Sequence, residues 1–387
     1  MQFGLTEDQT ALKEAAGRFS REVLLPGYRK REDDAAMGAE LIREMGRLGL
    51  VAPSLPERYG GMGIDGVTAG LLIEEIAYGD LNVSYVPLLS SLSADILARH
   101  GDEALAAARL PAIAEGRETI ALGLTEPRGG SDAANLQLRA RRDGDDWVID
   151  GEKASISMAA HADSVLTMAR TDPDRPGARG VTAFLVDLDA PGVSRSAYDD
   201  LGSLAVGRGS IWFDGVRVPD CNRVGPEGAG FTQTMQGFDY SRTLIGLQAL
   251  GSARASLDET WPYTLEREAF GRPIAEFQGV TFPLAEYDTQ VEGCRLLCYR
   301  TLWLRDQGMA HTKEAAMCKW WAPKLSVDTI HQCLLTHGHL GYSRDLPHQQ
   351  RLRDVMGLEI GDGTAQISKM VVARETVGRA AVQYARR

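Results

Sequence analysis

The stretch ALGLTEPRGGSD at residues 121–132 separates two parts of the chain that differ in periodicity. Apolar residues recur mostly at helical spacing before it, whereas the sequence after it shows the alternation typical of strands. The stretch begins with apolar residues, stops at Pro127 and turns through Gly129 and Gly130, where no side chain shields the backbone N–H groups. Such a turn can hold a phosphate or a flavin ring, although most turns of this composition hold no ligand.

The composition is that of an ordinary globular protein, with 44% hydrophobic and 25% charged residues. A length of 387 residues is too long for one compact core and predicts more than one subdomain. The formal net charge of -11 argues against nucleic acid or an anionic membrane as the main partner, because either would be repelled over most of the surface. The sequence has no basic, apolar leader and no run of about 18 apolar residues, so we expect no membrane span, no secretion and a cytoplasmic location.

The five cysteines have neither the even number nor the C-x-x-C spacing that would indicate a disulfide framework or a zinc site. We therefore expect reduced, buried thiols and no metal. The cysteines are Cys221, Cys294, Cys298, Cys318 and Cys333.

Residues 1–118 are predicted to form an all-helical N-terminal domain. Thr6 and Gln9 fit a capping box, and the first helix should run to about residue 25, just before Pro26. The loop 53–64 is rich in proline and glycine and should turn sharply. Further helices are predicted at 37–48, 66–78, 90–100 and 102–115.

Residues 119–228 are predicted to form a small antiparallel β-barrel or sandwich, and residues 229–387 a four-helix bundle. In the first, 147–153 is expected to be a hairpin, followed by strands at 164–170, 181–188 and 209–218. In the second, helices are predicted at 230–268, 278–307, 312–336 and from Thr364 to Tyr384. Proline at 262, 283 and 323 should kink these helices or end them early.

This order of domains, together with seven motifs in matching positions, resembles the acyl-CoA dehydrogenase flavoproteins over essentially the whole chain. The motifs are LTEPRGGSD (124–132), DGEK (150–153), FDGVRVP (213–219), PEGAGF (226–231), REAFGRPIAEFQ (267–278), KEAAM (313–317) and RD (353–354). The resemblance implies an FAD-dependent oxidoreductase that acts on acyl-CoA, with an electron-transfer flavoprotein as acceptor and a homotetrameric assembly.

The resemblance also implies which residues bind FAD. Leu124, Thr125 and Ser131 match positions that hold the flavin ring and pyrophosphate, and Ser157 matches a hydroxyl near the ring. The remaining matches are at Arg267, Phe270 and Gln278, which would reach the FAD of a neighbouring subunit, and at Gly338, Thr364 and Gln366. An arginine suits phosphate because its planar fork can bind two oxygens.

Asp239 and Arg242 lie three residues apart on one helix face, and the resemblance assigns both to the CoA end of the substrate. The alternative is an intrahelical ion pair without a ligand. Ser131 and Gly363 are the other matches to substrate-binding positions.

The family removes the α-proton of an acyl thioester with a carboxylate while the β-hydrogen leaves as hydride to flavin N5. The usual glutamate is replaced here by Asp362, whose carboxylate is one methylene shorter. Asp362 is either this base or only the N-cap of the last helix. Some branches place the base immediately before the arginine at 242, but Ser241 cannot act as a carboxylate base.

Other departures from the family pattern bear on the substrate. The flavin-shielding Trp-Ile-Thr reads SIS at 155–157, which predicts more room over the ring, and the Gln-x-x-Gly-Gly-x-Gly-Tyr region reads LTHGHLGY at 335–342. The histidines at 337 and 339 are expected to be structural, since no third metal ligand is in sight. An aspartate followed by GTAQ, with THGH (336–339) and CKWWAP (318–323), is most similar to the cyclohexanecarboxyl-CoA dehydrogenase branch.

Two alternatives stay open at this point. One is a nitroalkane-oxidase-like flavoprotein, a relative that also uses an aspartate base and passes electrons to oxygen. The other is a relative that binds CoA or a carrier protein but has lost redox chemistry, as the missing tryptophan at 155 would permit.

Overall fold

The computed structural model describes residues 4–382. Seven α-helices precede the first strand, and short π-helical turns at Ser20–Leu24 and Ser90–Ala94 continue two of the helical paths. The seven are α1 (Glu7–Phe19), α2 (Tyr28–Asp34), α3 (Ala39–Arg47), α4 (Gly66–Gly79), α5 (Tyr85–Leu89), α6 (Asp95–His100) and α7 (Glu103–Ala114).

The predicted start of α1 is confirmed in atomic detail. The N–H of Gln9 donates to Thr6 Oγ1 at 3.2 Å, and the N–H of Thr6 donates to Gln9 Oε1 at 3.1 Å, so both halves of the capping box form. The helical path does not stop before Pro26, because the 3-10 turn Leu25–Gly27 accommodates the proline near its start.

Eight strands form one sheet in the order β6-β7-β3-β2-β4-β5-β8, with β1 paired to β4. The strands are β1 (Ile120–Gly123), β2 (Arg139–Asp143), β3 (Asp146–Ile156), β4 (Ser164–Arg170), β5 (Val181–Asp187), β6 (Val193–Ala197), β7 (Gly209–Pro219) and β8 (Arg223–Val224). A separate two-stranded hairpin pairs β9 (Glu268–Ala269) with β10 (Arg272–Pro273).

Two predictions for the sheet are wrong. The sheet is not purely antiparallel, because β1 pairs in parallel with β4 and β2 has one parallel pairing with β4. Residues 147–153 are not a hairpin but the centre of the single long strand β3, which pairs with β2 on one side and β7 on the other. Gly151, at φ +133°, marks a bulge in this strand rather than a turn, which is the other meaning of a glycine within a strand pattern.

Within the described residues, six α-helices follow the sheet, and all four predicted helices are among them. They are α8 (Gly230–Glu266), α9 (Gln278–Asp306), α10 (Thr312–His337), α11 (His339–Tyr342), α12 (His348–Met356) and α13 (Ala365–Val377). Helix α10 packs against α8, α9 and α13, so it forms the centre of the C-terminal helices.

The predicted ends of these helices need two corrections. Proline lies inside α8, α9 and α10, and none of the three helices ends at its proline, since packing on neighbouring helices outweighs the lost hydrogen bond. Helix α13 ends at Val377, where Gly378 adopts φ +75°, and the predicted end at Tyr384 lies outside the described residues.

The expectation of buried thiols holds for four of the five cysteines. Cys294, Cys298, Cys318 and Cys333 are buried between the C-terminal helices, whereas Cys221 is exposed in the turn after β7. All five are free thiols. Within residues 4–382, no helix combines the length and apolar character needed to cross a membrane.

Candidate active site

A buried ion pair fixes the turn that follows β1. Lys153, with none of its side chain exposed, donates from Nζ to Glu126 Oε1 at 2.8 Å and to the carbonyl of Leu124 at 3.1 Å. The Glu126 carboxylate also accepts from the N–H groups of Gln137 at 2.6 Å and Leu138 at 2.8 Å. One carboxylate therefore closes the loop 126–138 and ties it to β3.

Lys153 is held at some electrostatic cost. Burial lowers the pKa of its ammonium to about 8, while Glu126 raises it. Both residues lie within motifs of the sequence, but nothing in the sequence predicts that they form a pair.

The predicted flavin-binding residues 124, 125, 131 and 157 surround the ends of β1 and β3. Leu124 is buried, Thr125 and Ser157 are half-buried, and Ser131 is exposed at the tip of the loop. The N–H of Ala154 donates to the Thr125 carbonyl at 2.9 Å, which joins the two strand ends. A recess of about 220 Å³, lined by residues that include Leu124, opens beside them.

The loop 357–364 presents Asp362 from a left-handed backbone conformation. Asp362 has φ +52° and Gly363 has φ +98°. Aspartate is one of the few side chains that visit this region, and such residues concentrate at functional sites. Neither the N–H nor the carboxylate of Asp362 has a hydrogen-bond partner in the part of the chain that the structure describes.

The alternative interpretation of Asp362 as a helix cap is wrong. The N-cap of α13 is Thr364, whose Oγ1 accepts from the N–H of Ile367 at 3.3 Å. Thr364 occupies the cap, so the carboxylate of Asp362 is left free for another task. Gln366 lies exposed in the first turn of α13, where N–H groups without helical partners favour a phosphate or a flavin carbonyl.

Asp362 is accessible to solvent, yet protein surrounds it closely enough to change its ionisation. Burial raises the pKa of its carboxyl, while the positive charges of Lys319 and Arg242 lower it. The pKa of Tyr85, on α5, lies far above its usual value. Burial is the main cause, and the negative charge of Asp362 is the next largest. Asp362 therefore interacts electrostatically with ionisable groups from three other segments, namely Lys319, Arg242 and Tyr85.

Lys319, on α10, was not singled out from the sequence. It is 1% exposed, and its Nζ donates to the carbonyls of Leu358 at 2.7 Å and Gly363 at 3.1 Å. Burial lowers the pKa of Lys319 to about 8, while Asp362 raises it. Nothing in the local sequence marks a lysine whose partners lie about forty residues further along the chain.

Helix α8 carries the two predicted CoA-binding residues as an ion pair. Arg242 Nη1 lies 3.0 Å from Asp239 Oδ1, and Thr312 donates to Asp239 Oδ2 at 2.5 Å. The intrahelical ion pair considered from the sequence is therefore present, and the contact of these residues with CoA stays a prediction. Ser241 is buried and donates to the carbonyl of Phe238 at 3.3 Å.

The residues predicted to reach the FAD of a neighbouring subunit lie on the surface: Phe270 is 96% exposed, and Arg267 and Gln278 are exposed as well. Gly338, predicted to contact FAD, is also exposed. No hydrogen bond or ion pair of the described residues joins the β9-β10 hairpin to the loop of Asp362. Within the described part of the chain, a backbone hydrogen bond joins Thr125 to Ala154 on β3, three residues before Ser157, and Arg242 lies within electrostatic range of Asp362.

The two histidines considered for a metal site differ in their surroundings. His337 is buried, its Nδ1 lies 2.9 Å from the Cys333 carbonyl, and its ring stacks on Tyr263 at 4.1 Å between centroids. His339 is exposed. The described residues contain no group of three or more His, Cys, Asp or Glu side chains arranged for a metal ion.

The donor set fits FAD. Thr125, Ser131 and Ser157 are all at least partly exposed, so their hydroxyls are available to a ligand, and the N-terminus of α13 supplies free N–H groups and a favourable dipole for an anionic or carbonyl group. Ser155 is exposed at φ +59°, so no bulky side chain at this position stands over the predicted ring site.

Comparison with known proteins agrees with this geometry. Three family models match: acyl-CoA dehydrogenase N-terminal domain at residues 6–117, middle domain at 121–216 and C-terminal domain at 228–377. The chain is 34% identical to the probable acyl-CoA dehydrogenase YngJ of Bacillus subtilis, over 97% of this chain and 99% of that protein.

Solved structures show the same similarity. Butyryl-CoA dehydrogenase from Megasphaera elsdenii is 31% identical with a TM-score of 0.93, covering 97% of this chain and 100% of that one. The structure of PigA with FAD and proline is 27% identical with a TM-score of 0.94, covering 98% of this chain and 100% of that one. These matches favour a dehydrogenase over the nitroalkane-oxidase-like and redox-inactive alternatives. The chain belongs to the acyl-CoA dehydrogenase family, whose members are FAD-dependent oxidoreductases that act on the CH–CH bond of acyl-CoA thioesters.

Proposed function

We propose that this chain dehydrogenates a saturated acyl-CoA between the α- and β-carbons and that Asp362 is the base that takes the α-proton. The observation that carries the proposal is the setting of the Asp362 carboxylate, which is accessible and has no hydrogen-bond partner within residues 4–382. Burial raises the pKa of that carboxyl, and a base works best when its pKa lies near the working pH.

The backbone around Asp362 supports the same role. Its N–H has no acceptor among the described residues, so this group is available to the thioester carbonyl, where negative charge develops as the α-proton leaves. The positive charges of Lys319 and Arg242 further stabilise negative charge in this region. Bound FAD supplies the two-electron acceptor for the β-hydrogen.

FAD would be held by the residues predicted from the sequence. Leu124, Thr125, Ser131 and Ser157 would contact the flavin side, with Thr364 and Gln366 at the start of α13. The residues at 267, 270 and 278 would contact the FAD of a neighbouring subunit, and their exposure in the single chain supports this. Gly338, which is also exposed, would contact the adenosine side of the cofactor.

We extend the proposal to an acyl group with a ring or branch at the α-carbon, of which cyclohexanecarboxyl-CoA is the representative. Asp362 is shorter than the family's glutamate, and exposed Ser155 stands where the family has tryptophan. Both changes leave more space near the reacting carbons, which a tertiary α-carbon needs. Ser131, Asp239, Arg242 and Gly363 would contact the CoA thioester.

The proposal includes a homotetramer and an electron-transfer flavoprotein as the electron acceptor. Large apolar side chains of the C-terminal part are exposed in the single chain, as a subunit interface requires: Phe270 at 96%, Tyr342 at 82% and Ile360 at 71%. Light scattering coupled to size exclusion would give the assembly, and reduction of the purified acceptor flavoprotein would test the partner.

The substrate proposal is tested by titrating the yellow protein anaerobically with cyclohexanecarboxyl-CoA, isobutyryl-CoA and butyryl-CoA while the flavin absorbance is recorded. We expect the alicyclic thioester to bleach the flavin. Bleaching by butyryl-CoA alone would reject the alicyclic assignment but not the dehydrogenase activity.

The base is tested in the same assay with Asp362→Asn. We expect this variant to bind acyl-CoA without bleaching, because the amide cannot take the α-proton. Asp328→Asn is the matched control, since Asp328 is a half-buried acid on α10 paired with Lys324. An Asp362→Asn variant that turns over as fast as the parent would disprove the assignment.

A further inference from the structure

We propose that Lys319 is a positioning residue that sets both the backbone geometry and the charge environment of Asp362. The inference rests on the proposed role of Asp362 as the base, and its test is designed to separate the two. Lys319 extends from α10 into the loop 357–364, and its side chain is almost completely buried.

The hydrogen bonds of Lys319 reach the loop on both sides of Asp362, the proposed base. Its ammonium donates to the carbonyls of Leu358 at 2.7 Å and Gly363 at 3.1 Å, one on each side of Asp362 in the sequence. Among the described residues, backbone hydrogen bonds within the loop reach only as far as Gly361, whose N–H donates to the Gly357 carbonyl at 3.0 Å. Lys319 ties the second half of the loop to α10 at Gly363, and Thr364 joins it to the first turn of α13.

The conformation at Asp362 needs such a contact. Two successive residues, Asp362 and Gly363, have positive φ, at +52° and +98°. An aspartate keeps this backbone conformation only where its surroundings impose it. The Gly363 carbonyl belongs to the residue directly after the base, so fixing that oxygen limits the directions in which the carboxylate and the Asp362 N–H can point.

The charge of Lys319 acts on the same group. Lys319 and Arg242 both lower the pKa of Asp362, from α10 and α8, and the negative charge of Asp362 in turn raises the pKa of Tyr85 on α5. The groups that act on Lys319 itself are Asp362, Glu359 and Arg242. Among residues 4–382, loss of the Lys319 charge would leave Arg242 as the one cation that opposes the effect of burial on the pKa of Asp362.

The test compares Lys319→Met, which keeps the length of the side chain but removes its charge and donors, with the parent enzyme. We expect kcat to fall by up to about 10²-fold, the size of loss that follows from a misplaced catalytic group. We also expect the limb of the kcat–pH profile that reports the base to move to higher pH. Binding of FAD should be unchanged, as measured from the flavin absorbance per chain.

Lys324→Met is the matched control, because Lys324 lies on the same helix with its side chain 51% exposed. It should keep the parent's kcat and pH profile. Lys319→Arg should keep the parent's pH limb while losing part of kcat, because it retains the charge but not the geometry. If Lys319→Met does not fold, Lys319→Gln against Lys319→Arg gives the same comparison.

Asp362→Asn separates the inference from the proposed function. If Asp362→Asn is inactive while Lys319→Met has the parent's kcat and pH limb, the positioning role is refuted and the base assignment stands. If Asp362→Asn is fully active, the base assignment fails, and the Lys319 inference fails with it. A pH limb that moves in Lys319→Met but not in Lys319→Arg or Lys324→Met supports the inference.

Discussion

Replacing Asp354 with asparagine should measure how strongly one buried carboxylate joins the three parts of the chain. Asp354, on α12, accepts from Tyr28 Oη at 2.5 Å and Asn82 Nδ2 at 2.9 Å on the N-terminal side. It also accepts from the N–H of Ser203, in the segment after β6, at 2.5 Å. All three partners are donors, and Asp354 is 1% exposed.

Asparagine can accept from two of these donors with its carbonyl oxygen, but its NH₂ group would face the third, the Ser203 N–H. A buried hydrogen bond to a charged acceptor contributes roughly 1.5–3 kcal/mol, so we expect the free energy of unfolding at pH 8 to fall by about this amount. For a cooperative unit of 387 residues this corresponds to a decrease in Tm of about 2–4 °C.

The pH dependence of this effect has a definite sign. Burial is the main cause that raises the pKa of Asp354 to about 7, against about 3.9 in an unfolded chain. The proton-linked part of its contribution to stability is therefore fully present below about pH 4 and is lost as the pH rises through 7, and it adds to the hydrogen-bond contribution estimated for pH 8. Since asparagine does not titrate, the difference in Tm between parent and Asp354→Asn should be larger at pH 5.5 than at pH 8.

Differential scanning calorimetry of both proteins at the two pH values, at equal protein and FAD concentrations, checks these expectations. Asp328→Asn is the control for removing an acid from the surface, and it should stay within about 0.5 kcal/mol of the parent. A variant with the parent's Tm at both pH values would refute the structural reasoning. A difference that grows from pH 5.5 to pH 8 would refute the sign of the linkage.

Three further substitutions follow from the site. Lys153→Met leaves the buried Glu126 carboxylate without its cation, so it should lower the free energy of unfolding by about 3–5 kcal/mol, measured by urea denaturation. A loss below about 1 kcal/mol would contradict this prediction. Thr364→Ala removes the cap of α13 and should cost about 1 kcal/mol in the same experiment, whereas Thr364→Ser should be neutral. Asp362→Glu lengthens the proposed base and should shift kcat/KM from cyclohexanecarboxyl-CoA towards butyryl-CoA; an unchanged ratio would mean that the length of the base does not select the acyl group.

The elements that sequence could predict are those whose signals are local. The capping box at Thr6 and the long helices follow from residues a few positions apart, and the structure has them within one or two residues at most ends. Gly151 shows the limit of this reasoning, because a glycine in a strand pattern indicates either a turn or a bulge. The partner strands on both sides of β3 decided between the two.

The residues of the candidate site also differ in whether local sequence could predict their roles. Asp362 and Thr364 lie two residues apart, and both can cap a helix, so only the backbone conformation showed that Thr364 is the cap. The sequence did not predict a role for the buried lysines at 153 and 319, since lysine is normally a surface residue. Their importance depends on carbonyl and carboxylate partners that the tertiary fold supplies from distant segments.

The distribution of thiols gives the molecule a ready attachment point for a reporter. Cys221 is exposed, while Cys294, Cys298, Cys318 and Cys333 are enclosed by the C-terminal helices. A maleimide dye applied to the folded enzyme would therefore couple at a single position without mutagenesis. That dye would sit in the turn between β7 and β8, from where its fluorescence could follow the sheet independently of the flavin colour.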